Sequence, residues 1–122
     1  MKNNSRVAKI CSLAEKFDRV NNKSPIQLLR EAGFSGSEGA ISIEDIRHYL
    51  KNKTHLVESW FLYSMNKRTD RGWYFKKKNE VTYIVGYLPK GTGKIKESKY
   101  SDATQACATF IYNELFDIVK DQ

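Results

Sequence analysis

The sequence predicts an α+β domain: three helices, then a small antiparallel meander of two to four strands, then a C-terminal helix packed on the sheet. Three observations carry that expectation. Apolar residues recur at helical spacing through the first part of the chain, β-branched and aromatic residues gather between Trp73 and Leu88, and helical spacing returns after Ser101. Helices that precede strands, rather than alternate with them, describe α+β architecture. A chain of 122 residues is large enough for one hydrophobic core and is expected to form one domain. Its residues 1–56 read as mainly helical, and 57–122 as sheet plus C-terminal helix.

From Ser5 to Val20, the residues Val7, Ile10, Cys11, Ala14 and Phe17 form one stripe on a first helix. Ser24, Pro25 and Gly33 punctuate a second: an N-cap, a first helical residue with preset φ, and a left-handed stop. Leu29 and Ala32 would face inward there, with Ile26 nearby. The run Ser35-Gly36-Ser37-Glu38-Gly39 is a loop by composition. After it, Ser42 and Asp45 are spaced as a short capping box, with Ile41 and Ile46 as its hydrophobic staple. The third helix should run through Tyr49 and Leu50.

Near Trp60 the character changes. Trp60 to Met65 is rich in aromatic residues and reads as a first strand, followed by a polar hairpin loop from Lys67 to Gly72. Gly72 to Lys78 and Val81 to Leu88 read as the next two strands, ended by Pro89. Lys90 to Lys99 is a loop or an edge strand. The last helix should be capped at Ser101 or Asp102, with Cys107, Phe110, Ile111, Leu115 and Ile118 inward and Ala103, Ala106 and Ala108 allowing close approach. The acidic pairs Glu44-Asp45 and Glu114-Asp117 fit a cap and a solvated face.

Charge is concentrated. Between Asn66 and Tyr100 lie ten of the 21 basic side chains and only three of the 14 acidic ones, so the whole net charge of +7 sits in that window. Such a field selects acidic partners and speeds encounter with them. An apolar fraction of 40% argues against disorder, and no run is long or apolar enough for a membrane span or a leader. Cys11 and Cys107 have no metal-type spacing and read as buried thiols, so the expected compartment is the cytoplasm.

Alternation along Gly72 to Lys78 puts Trp73, Phe75 and Lys77 on one face and Tyr74, Lys76 and Lys78 on the other. The second set, joined by Tyr83 or Tyr87 if the register allows, is the candidate binding face. Rings and cations together suit single-stranded nucleic acid or a protein interface; the alternative is a solvated edge whose lysines oppose aggregation. Arg68 and Arg71 flank Asp70 in the loop, either to fork onto carboxylates or phosphates or to shape the turn. Lys90-Gly91-Thr92-Gly93-Lys94 lacks the spacing and hydroxyl of a phosphate-binding loop and reads as a turn. His48 and His55 have no cysteine or carboxylate partner at a catalytic or metal-binding spacing. No metal, no cofactor and no enzymatic role is expected.

Two stretches carry a resemblance. Trp60-Phe61-Leu62-Tyr63-Ser64 with Lys67-Arg68 and Arg71-Gly72-Trp73-Tyr74-Phe75 is one; Tyr100-Ser101-Asp102-Ala103 with Ala106-Cys107-Ala108, Phe110-Ile111 and Glu114 is the other. Together they resemble small bacterial immunity proteins of contact-dependent inhibition and other polymorphic toxin systems, over the C-terminal half. The resemblance implies a catalytically inert cytosolic antidote that binds one toxin domain, usually a nuclease, and blocks its active site or substrate groove. It assigns no binding residue by position. Many such antidotes are acidic, whereas the basic window here calls for an acidic toxin surface. Lys94 to Leu115 is also similar to the end of a double-stranded-RNA-binding domain. That family has basic residues at the start of its last helix, where this chain has Tyr100-Ser101-Asp102. A small RNA-binding protein is therefore the second expectation.

Overall fold

The structure is a computed structural model that describes residues 2–19, 25–32, 42–66, 72–89 and 95–120. Its elements are α1 (Lys2–Cys11), α2 (Leu13–Arg19), α3 (Pro25–Glu31), α4 (Ile43–Leu50), α5 (Thr54–Asn66), β1 (Gly72–Asn79), β2 (Thr82–Leu88), β3 (Lys96–Tyr100) and α6 (Ala103–Lys120). This is α+β architecture, with a three-stranded antiparallel sheet in the order β1-β2-β3 and α6 packed on it.

The helical part is more divided than the sequence suggests. The first stripe belongs to two helices, because the chain turns at Ser12. The Ser12 hydroxyl donates back to the Ala8 carbonyl at 3.0 Å, a bond that bends helices. The Cys11 carbonyl meanwhile accepts from the buried Trp60 indole at 2.9 Å. The stripe itself is real: Val7, Ile10, Cys11 and Ala14 are buried.

Pro25 opens α3 and Leu29 and Ala32 are buried, as the punctuation predicts. Ile26 is in α3, while Ser24 and Gly33 lie outside the described residues, as does Ile41 of the staple. The capping box is present: Ser42 Oγ accepts from the Asp45 amide at 3.1 Å, and Asp45 accepts from the Ser42 amide at 3.0 Å. After α4, Asn52 takes a φ of 67°, a left-handed conformation that asparagine tolerates and that stops the helix.

Trp60 to Met65 is helix, not strand. Leu56, Val57 and Trp60 are buried at i, i+1 and i+4, and Tyr63 and Ser64 continue the stripe half-buried at i+7 and i+8. Aromatic content suggested a strand, but the burial period is helical, and period outranks composition. Lys96 to Tyr100 takes the edge-strand alternative and leaves β3 as one border of the sheet.

One apolar cluster joins all of this. It draws on every helix and on Phe75 and Val85 of the sheet, with α6 contributing Ala106, Cys107, Ala108, Phe110, Ile111 and Leu115. Ile118 is only partly buried against it. Aromatic rings run through the cluster from Phe17 to Trp60, Phe110, Phe75 and Phe61. Asp102 caps α6: its carboxylate accepts from the Thr104 amide and hydroxyl at 2.9 and 2.7 Å. Those bonds hold the Asp102 carboxyl below its ordinary range.

Candidate functional site

The register of the sheet decides what each face carries. Lys77 pairs with Tyr83, Phe75 with Val85 and Trp73 with Tyr87, so all six side chains share one face. That is the face toward the core, and α6 packs against it. Tyr83 and Tyr87 therefore do not join Tyr74. Tyr83 stacks with Phe61, ring centroids 6.0 Å apart, and Tyr87 meets Trp73 at 5.1 Å. The turn between Asn79 and Thr82, with its register irregularity after Lys77, sets this parity.

On the opposite face the strands line up in two rows. Tyr74, Gly86 and Glu97 form one; Lys76, Ile84 and Lys99 form the other. None of these side chains belongs to the core cluster. Lys76, Lys78 and Lys99 are exposed, and Ile84 is buried between the two lysines of its row. Tyr74 lies across Gly86, so close that a Cβ there would run into the ring, and its hydroxyl donates to the Glu97 carboxylate. The Lys76 ammonium stands 3.9 Å from the same carboxylate and 5.4 Å from the Tyr74 ring centre. Partial burial and the Glu97 carboxylate raise the Tyr74 hydroxyl from its ordinary 10.0 to about 12.

Of the predicted set, Tyr74 and Lys76 are thus brought together, while Lys78 is exposed at the register irregularity between Lys77 and Asn79, with no partner in the β2 register. Lys99 and Glu97 join Tyr74 and Lys76, and sequence reasoning missed both because the edge strand they sit on was an open alternative. Arg68 and Arg71 lie outside the described residues, as do the residues 90–94 of the glycine-rich turn.

Elsewhere, Glu114 corrects an expectation. It is only 3% exposed, not on a solvated face, and accepts from the Tyr63 hydroxyl at 2.5 Å. Burial and that carboxylate push the Tyr63 hydroxyl well above its ordinary range. Helical spacing carried a signal for this: Glu114 falls between Ile111 and Leu115, inside the inward stripe.

His48 and His55 are both exposed, one on α4 and the other on α5. Among the described residues no three His, Cys, Asp or Glu side chains gather as a metal site. No helix among them is long and apolar enough to cross a membrane. Cys11 and Cys107 are free and buried; burial raises the Cys11 thiol to about 12 and the Cys107 thiol well above its ordinary value. The open face thus offers exposed cations beside one ring and one carboxylate engaged with each other, with Lys76 close to both. No family model, no curated protein and no solved structure matches this chain.

Proposed function

We propose that this chain is a catalytically inert immunity protein of the cytoplasm, one that binds and neutralises a cognate toxin domain, a nuclease in the leading case. It would do so by covering the active site or the substrate path. The observation that carries the reading is the make-up of the open sheet face. Lys76, Lys78 and Lys99 supply steering toward acidic side chains, while Glu97 and the Tyr74 ring it holds give fixed, directional contacts. The resemblance of the C-terminal half to antidotes of polymorphic toxin systems supports it as well.

RNA binding is the second reading, favoured by the same three lysines. Two features weigh against it. A stacking platform needs successive rings, and Tyr83 and Tyr87 are on the core side, which leaves Tyr74 as the one ring of this face among the described residues. Glu97 also puts a negative charge amid the cations, and Asp102 puts another at the start of α6.

The test is co-expression with the product of the reading frame immediately upstream. The expected result is restored growth and a co-purifying complex whose association slows in a Lys76→Glu, Lys78→Glu, Lys99→Glu variant. No complex, together with retention on RNA that falls log-linearly with salt, would replace this reading with the second.

A further inference from the structure

A groove of about 660 Å³ opens between α5, the outer edge of β1 and the first turn of α6. Its apolar wall is formed by Val57, Phe61, Leu62 and Met65 of α5, and Phe75 and Tyr83 form part of its sheet side. Phe61 stacks flat on Phe75, ring centroids 4.1 Å apart, and both rings line the groove. Its rim is different: Leu62 is 56% and Met65 70% exposed, on the same helix and three residues apart. Large apolar side chains held out in water beside a cleft are what a protein partner covers.

The groove's charge narrows the choice of partner. Among the described residues Lys53, Lys76 and Lys77 line it, against the carboxylate of Glu58. The Lys77 ammonium reaches Glu80 only at 4.0 Å, in a pair whose glutamate is almost fully exposed, an arrangement that holds a cation weakly. We infer that this groove is a docking site for an acidic polypeptide segment that presents apolar side chains, with Leu62 and Met65 gripping the anchors and Lys53 and Lys77 meeting the carboxylates. The inference rests on the protein-binding reading above and names the part of the partner that would be held. Lys76 and Lys77 point to opposite faces of β1, so a partner seated in the groove continues over the β1 edge onto the open face.

The groove can be tested without the toxin. A displayed random-peptide library is panned against the purified full chain, and enriched peptides are synthesised with a fluorophore for anisotropy titration. Expected are peptides that combine Asp or Glu with Leu, Ile, Phe, Met or Trp. Their binding should weaken by about tenfold or more in Leu62→Glu or Met65→Glu, and measurably in Lys77→Glu. Lys9→Glu, an exposed substitution on α1 outside the groove lining, should leave it unchanged. Both apolar substitutions fall on exposed side chains, so circular dichroism of the variants should match the parent. No enrichment, enrichment of neutral or basic peptides, or binding indifferent to Leu62 and Met65 would overturn the proposal. A toxin complex that forms equally well with the groove variants would overturn it too, while leaving the antidote reading in place.

Discussion

Tyr74 reaches Glu97 by lying across Gly86, so three residues from three strands form one row in which the middle one has no side chain because the first has taken its space. Any β-carbon at position 86 forces the ring off the sheet and breaks its bond to the carboxylate. Gly86→Ala is therefore expected to destabilise the fold by about 1 kcal/mol, alanine's better strand propensity offsetting part of a larger clash. Urea denaturation of Gly86→Ala, Tyr74→Ala and the double variant checks this. The double variant should lose less than the sum of the single ones, because the clash vanishes with the ring.

The same contact has a pH signature. The Tyr74 hydroxyl is raised from 10.0 to about 12, so the folded state holds its proton more tightly than the unfolded chain does. Whatever stability this contributes is complete below pH 10 and is lost as pH climbs through about 12. Ultraviolet titration should find a tyrosine with a high pKa that returns toward its ordinary value in Glu97→Gln.

Glu114 is buried and takes the proton donor of Tyr63 across a span of 51 residues. Tyr63→Phe removes that donor while preserving the ring packing against Phe17, Trp60 and Phe110. The expected cost is about 1–3 kcal/mol in equilibrium unfolding. Glu114→Gln, which still accepts from Tyr63, should cost less.

At the start of α4, Ser42→Ala takes away the acceptor for the Asp45 amide. A loss of about 1 kcal/mol is expected, readable as a lower denaturation midpoint with an unchanged slope.

Cys11 and Cys107 should resist a thiol reagent at pH 8 in the folded protein. Burial keeps both protonated, and the thiolate is the reactive form. Labelling should proceed only through opening of the core, at rates that rise with denaturant.

The alternation of Tyr74 and Lys76 against Phe75 and Lys77 was legible because a strand has a period of two. The side on which Tyr83 and Tyr87 stand was not, since one residue more or less in the turn at Asn79–Thr82 reverses it. The caps at Ser42 and Asp102 were legible because their chemistry is local. The nature of Trp60–Met65 was obscured because aromatic side chains suit a strand and a buried helix face alike, and only Leu56 and Val57 upstream reveal the period. Glu114 escaped because a carboxylate is expected in water unless its partner is known, and Tyr63 is distant in sequence.

The Cys11 carbonyl is completed by an indole 49 residues further along, and the cluster that holds both is closed by side chains of α6. Synthesis proceeds from α1 toward α6, so the ribosome makes the helical part long before the element that covers it. A nascent chain that reaches only to β3 would then expose Trp60, Phe61 and Phe75 until Phe110 and Leu115 emerge. Folding consequently waits for α6, governed by closure of distant contacts more than by the speed of any one helix. A ribosome stalled before α6 would present a chain fit for chaperones rather than for a partner.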